Sequence, residues 1–161
     1  MDVDNHRSDA RLDTPRRTQR YYWVVSVLLL VWGLGYALLI AEAFFVMRLE
    51  DFDRLVSAGM ILPGYGSYVQ DLPQWVVALT VIKGFTRVAG AVGLLLRKRW
   101  AISMYSLSLA ISCVIFFRGF LLDNRGSYEA PTQIGLDVMF FCVSIYALYF
   151  SVVARLRGTL P

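Results

Sequence analysis

Histidine is almost missing from this chain: His6, in the polar first twenty residues, is the only one among 161. A haem held between two buried imidazoles is thereby excluded, and so is a histidine-rich metal centre. Cysteine is nearly as scarce. Cys113 and Cys142 stand in apolar surroundings with no CxxC-type neighbour, so each is expected to act as a small hydrophobe and not as a disulfide partner or metal ligand. There is no glycine-rich phosphate loop, and no nucleophile has a base at catalytic spacing. Catalysis is therefore unsupported, and no cofactor or metal is expected.

Charge is thin as well. Asp, Glu, Lys and Arg make up 17% of the chain, where soluble domains average about 25%. In their place stand four long apolar tracts: Tyr22–Met47, Trp75–Leu96, Trp100–Leu122 and Ile134–Ala154. A transmembrane helix needs roughly 20 such residues to cross about 30 Å of hydrocarbon, and all four tracts meet that length. The spacing predicts an all-α integral membrane four-helix bundle over residues 22–154. A polar tail (1–21) precedes it, and a short C-terminus (155–161) follows. The first tract is too long, and starts too late, to be a signal peptide, whose apolar core runs to about 7–15 residues.

The net charge of +4 does not indicate nucleic acid, because of where the bases fall. Arg7, Arg11, Arg16, Arg17 and Arg20 precede the first tract. Arg97, Lys98 and Arg99 separate the second from the third, and Arg155 and Arg157 follow the fourth; together these are ten of the sixteen basic residues. The segment after the first tract sets Arg48 and Arg54 against Glu50, Asp51, Asp53 and Asp71. The segment after the third tract holds one base, Arg125. The positive-inside rule then predicts antiparallel, up-down helices with both termini in the cytoplasm. Arg16, Arg17, Arg20, Arg97, Lys98 and Arg99 would form a basic cytoplasmic rim; the tail itself would be either solvated or docked on a partner or anionic lipid through Arg16, Arg17 and Arg20.

Gly33, Ala37 and Ala41 recur every fourth residue, a stripe that lets another helix approach closely. Ser103, Ser106, Ser108, Ser112, Ser144 and Ser151 are expected to join helices by hydrogen bonding. The outer segment 48–74 carries Phe52, Leu55, Val56 and Met60 near helical spacing, which predicts a short interfacial helix. The tight basic turn between the second and third tracts makes those two helices neighbours.

Five ionisable residues lie inside the tracts: Glu42, Lys83, Arg87, Arg118 and Asp137. Such residues are costly in a bilayer and are functional candidates by default. Counting 1.5 Å per residue puts Glu42, Arg118 and Asp137 roughly 6–8 Å from the outer ends of their helices, and Arg87 about 18 Å below Trp75, near mid-membrane. An outer-half cluster of three bases and two acids is the expectation. It would be a set of ion pairs, such as Glu42 with Arg118 and Asp137 with Lys83, an anion-binding cavity with surplus positive charge, or a contact face for a charged intramembrane group of a partner.

Some of these stretches resemble a known family. Trp32 with Gly35, the run Leu72-Pro73-Gln74-Trp75, and Gly90–Ala101 with its Arg97-Lys98-Arg99-Trp100 turn followed by Ser106–Leu109 resemble small bacterial four-helix integral membrane proteins labelled "sugar transporter". The likeness covers about half the chain and implies a bacterial inner-membrane setting, but it brings no substrate-binding residues. Lys83 and Arg87 depart from the nearly all-apolar second helix of that family. Three functions stay open. The leading expectation is a non-catalytic accessory subunit of a larger membrane complex. The others are an oligomeric transporter of a small polar or anionic solute, and a lipid- or quinone-binding protein whose Phe116, Phe117, Phe140 and Phe141 flank the charges. Expected partners are the lipid bilayer and another membrane protein or further copies of the chain.

Overall fold

The computed structural model describes residues 5–49, 54, 57–59, 72–124 and 131–160, with the side chains of 5–18, 43–49 and 131–133 left aside. Every regular element among them is helical. Helix α1 spans Asn5–Leu49, α2 Gln74–Leu95, α3 Trp100–Phe117 and α4 Pro131–Leu156, and a π-helical turn at Arg118–Leu122 continues α3. Each contains a stretch long and apolar enough to cross a membrane, namely Gln19–Glu42, Gln74–Leu95, Trp100–Leu122 and Ile134–Leu156. The described residues thus form an all-helical structure with four membrane-compatible spans.

Helix α1 and the last turn of the α3 span depart most from the apolar pattern. Helix α1 is 45 residues long, about 67 Å at 1.5 Å per residue, and runs back through the polar segment expected as a tail. Alanine, leucine, glutamine and arginine in that segment are good helix formers, so loss of hydropathy does not end the helix. At the far end of α3 the winding loosens, and Asp123 N–H donates to the Arg118 carbonyl at 3.1 Å. Most of the segment expected to form an interfacial helix lies outside the described residues. Within it, Ser57 Oγ and Ala58 N–H both donate to the Arg54 carbonyl, a single helical turn.

Small residues decide how closely the helices pack. A Cβ on Gly33 would meet the α2 backbone at Arg87 and Val88 at 3.5 Å, so α1 and α2 touch backbone to backbone there. Of the predicted stripe, Gly33 is buried, Ala37 half-buried and Ala41 exposed. The closer contact is between α2 and α3. A Cβ on Gly90 would stand 3.0 Å from the Tyr105 ring, and one on Gly93 3.0 Å from Ala101 and Trp100. These two glycines, rather than the α1 stripe, mark the tightest seam.

The turn between α2 and α3 is a Schellman motif built without glycine. Arg97 adopts φ 53°, its N–H bonds the Leu94 carbonyl, and the Lys98 N–H bonds that of Gly93, which satisfies the last carbonyls of α2. The Arg97 guanidinium lies 6.0 Å from the Tyr22 ring centroid and 5.8 Å from that of Trp23. Arg20, Lys98 and Arg99 are exposed, and the side chains of Arg16 and Arg17 fall outside the described ones. Helix α4 ends in the same motif with Gly158 at φ 71°. Thr159 N–H bonds the Ala154 carbonyl and Gly158 N–H that of Arg155, and Leu160 folds back into the core. That core is Tyr22, Val25, Leu29, Ala91, Leu94, Ala101, Tyr105, Ala147, Phe150, Ala154 and Leu160. It gathers at the end of the bundle that carries the Arg97–Arg99 turn.

Substituting Gly90 or Gly93 by valine should lower stability by about 1–3 kcal/mol, the usual consequence of overpacking. Gly35 has nothing within 4 Å of its Cβ position, so Gly35→Ala should be neutral or gain about 0.5–1 kcal/mol. Reversible unfolding in mixed micelles, followed by circular dichroism, measures both.

Candidate functional site: a polar layer around Arg87

Arg87 is 4% exposed although it lies roughly 12 Å, eight residues of rise, from the C-terminal end of α2. A guanidinium carries five donors and accepts nothing, so at this burial each N–H needs a partner within the protein. Its Nη2 donates to Ser144 Oγ at 2.6 Å and reaches the Phe140 carbonyl at 3.4 Å. Ser144 Oγ in turn donates to the Phe140 carbonyl one turn earlier, at 2.7 Å. The charge lies 4.1 Å from the centroid of Tyr36 on α1 and 5.8 Å from that of Phe140 on α4. Three helices therefore meet on one side chain.

Helical spacing explains how the sequence assembles this layer. Residues four apart lie on one face, so Lys83 joins Arg87, and its Nζ sits 5.0 Å from the same Tyr36 ring. Asp137 is one turn before Phe140, and Phe140 one turn before Ser144. Lys83, Arg87 and Asp137 line one small cavity together with Ser112, Tyr36 and Phe140. Its volume is about 40 Å³, the room of one or two water molecules. Arg87 Nε and Nη1 are buried and have no hydrogen-bond partner among the described residues. The same is true of Tyr105 Oη and Ser108 Oγ on α3.

The expected five-residue cluster divides in three. Lys83, Arg87 and Asp137 share the cavity. Arg118 does not pair with Glu42: its Nε lies 3.1 Å from Asp123 Oδ2, and its guanidinium lies 5.0 Å from the Trp75 ring at the start of α2. The π turn is the cause. In an α-helix residues five apart diverge by about 140°, whereas the wider i→i+5 winding brings Arg118 and Asp123 to the same side. Glu42 is exposed at the end of the α1 span.

The serines also differ from expectation. Ser103 and Ser106 are exposed. Ser112 and Ser151 are buried but donate within their own helix, to the carbonyls of Ser108 and Ala147. Of the six, Ser144 makes the interhelical bond. Tyrosine supplies further links that polarity counting passes over: Tyr22 Oη donates to the Leu94 carbonyl at 2.5 Å, and the Tyr21 and Tyr146 hydroxyls meet at 3.0 Å.

A second feature opens beside this layer. Helices α1 and α4 are held apart by rings, with Trp32 and Tyr36 at 4.8 and 5.0 Å from Phe140. The groove between them encloses about 680 Å³ and runs along α1 from Val25 to Glu42, with Phe140, Val143 and Tyr146 on the facing side. Its walls are almost wholly apolar, and Glu42 is its one carboxylate.

Ser144→Ala should cost about 1.5–3 kcal/mol, the worth of a hydrogen bond to a charged group. Ser151→Ala, which removes only a bond within one helix, should cost less than about 1 kcal/mol. Paired unfolding curves in one detergent test the difference. No protein-family model, curated protein or solved structure matches the chain, so its residues alone carry the functional reading.

Proposed function

We propose that this is a non-catalytic accessory subunit of a larger bacterial inner-membrane complex, and that it docks one transmembrane helix of its partner in the α1/α4 groove. The bundle is read as antiparallel and up-down with both termini cytoplasmic. Supporting that topology, Tyr22 stacks on Phe150 near one end while Tyr36 meets Phe140 towards the other. The bases at Arg20, Arg97–Arg99, Arg155 and Arg157 mark the cytoplasmic side.

The observation that carries the proposal is the contrast between the two spaces. The cavity around the charges, at about 40 Å³, has no room for a sugar-sized solute, which argues against a transport path through a single copy. The groove is long and open. Val25 to Glu42 spans about 25 Å of α1, close to the thickness of the hydrocarbon, and Gly35 leaves a notch where a helix backbone can approach. Glu42, exposed at the groove's end, calls for a partner base at the outer membrane surface, where a lysine or arginine reaches water cheaply. A second copy fits less well. A two-fold interface places the same face against itself, so two Glu42 carboxylates would meet at one level as like charges.

A photo-crosslinking residue at Leu39 in the groove should give one adduct of defined mass in the native membrane. The same residue at Phe85, on the exposed face of α2, should not. Gly35→Leu should abolish the adduct without lowering the unfolding temperature, and Glu42→Lys should reduce it several-fold. Lipid adducts alone would overturn the docking reading in favour of a lipid site, and an adduct of twice the chain mass would overturn it in favour of a homo-oligomer.

A further inference from the structure

Beyond the Val25 end of the α1/α4 groove lies a further pocket, of about 210 Å³. The membrane-compatible spans of the two helices end beside it, at Gln19 on α1 and Leu156 on α4, which sets it at the level of lipid headgroups. Its wall is aromatic: Tyr22 and Tyr146 stack on Phe150 at 5.7 and 6.3 Å, and Tyr21 meets the same ring edge-on. Arg157, Tyr149 and Thr159 complete the lining on the polar side. The Tyr21 and Tyr146 hydroxyls lie 3.0 Å apart. When one donates to the other, the pair keeps one hydrogen for a third acceptor. Arg157 adds a full positive charge and five donors. The carboxylates among the described side chains, Glu42, Asp123 and Asp137, belong to the opposite ends of their helices; Asp137 is about 30 Å from Arg157 along α4. The C-terminal dipole of α4, about half a negative charge, opposes an anion here. Arg157 outweighs it, and the Val153, Ala154 and Arg155 carbonyls are already bonded within the cap.

We propose that this pocket binds the phosphodiester of one anionic glycerophospholipid. Arg157 takes the phosphate oxygens, the tyrosine and threonine hydroxyls stand beside them, and the aromatic wall covers the glycerol and the first acyl carbons. Basic pockets between helices at the membrane surface hold lipid headgroups by this combination, and tyrosine rings suit a level that is apolar on one side and wet on the other. A free phosphate would use the guanidinium but leave the rings uncovered, so the wall favours a lipid. A choline headgroup would bring a second cation close to Arg157, a like-charge contact that selects against it. Tyr146 also borders the groove, but the pocket does not depend on what occupies the groove or on the accessory-subunit reading.

The test uses the full chain in an uncharged detergent at about physiological ionic strength, titrated with dioleoylphosphatidylglycerol or dioleoylphosphatidylcholine. Native mass spectrometry counts the lipids retained, and thermal unfolding follows saturation. One phosphatidylglycerol should be retained per chain, with a saturating rise in unfolding temperature that phosphatidylcholine does not reproduce. Arg157→Gln should raise the half-saturating concentration roughly tenfold, the scale of one hydrogen-bonded charge. Arg155→Gln is the control. Arg155 is also exposed but does not line the pocket, so its removal should shift the concentration by less than about twofold, exposed charges out of contact being screened. Tyr149→Phe, which keeps the ring, should weaken binding several-fold. Arg157 and Tyr149 are exposed, so unfolding temperatures without lipid should match the wild type in all three variants. Equal effects of the two lipids would overturn the site. Equal losses in Arg155→Gln and Arg157→Gln would overturn it in favour of diffuse surface charge. Displacement of the lipid by millimolar inorganic phosphate would overturn it in favour of a soluble phosphate ester.

Discussion

A guanidinium inside an apolar span must be solvated by the protein itself, and the arrangement of three helices follows from that need. Arginine at a helix centre costs about 2.5–3.5 kcal/mol on insertion scales. Against this, a hydrogen bond to a charged group is worth about 1.5–3 kcal/mol, and a desolvated cation over an aromatic face about 2 kcal/mol. The Ser144 bond and the Tyr36 ring together are therefore of the size required. To use them, α2 must turn Arg87 inward, α1 must bring Tyr36 over it, and α4 must present Ser144. Gly33 makes the α1 part possible, because a side chain much larger than alanine there would push the Arg87–Val88 backbone away.

The part of this that can be counted along one dimension was legible in the sequence. Membrane thickness sets helix length, so the tracts beginning at Trp75, Trp100 and Ile134 pointed to spans of the right extent. Depth could be counted too, since each residue adds the same rise. Azimuth could not. Whether Arg118 meets Glu42 or Asp123 depends on how α3 is wound over its last turn, and the residues Arg118–Leu122 carry no pattern that announces a π turn. The continuation of α1 into polar sequence was hidden for a related reason: hydropathy reports where lipid is, not where backbone hydrogen bonds stop.

Small polar and small apolar residues were the least legible. Serine hydroxyls were expected to link helices, yet Ser112 and Ser151 are satisfied by carbonyls within their own helices. The sequence pattern is the same in either case, because the neighbouring turn always offers an acceptor. Ser144 differs only because Arg87 arrives opposite it. Glycine behaved similarly. The four-residue stripe in α1 was visible, but the tighter contacts are at Gly90 and Gly93, three apart and facing the aromatic rings of Tyr105 and Trp100. A seam of glycine against aromatic ring has no periodicity of its own.

Residue size also explains why the bundle closes on three sides and opens on the fourth. Between α2 and α3, glycine and alanine admit close approach. Between α1 and α4 stand Trp32, Tyr36 and Phe140, whose rings fill the space where a backbone would otherwise lie. Tyr36 belongs to both features: it covers the Arg87 charge and it wedges α1 away from α4. A smaller residue would let the helices close but would strip the cation of its ring. The groove is thus a structural consequence of burying Arg87, and the apolar surface that α1 and α4 leave open is tied to the charge behind it.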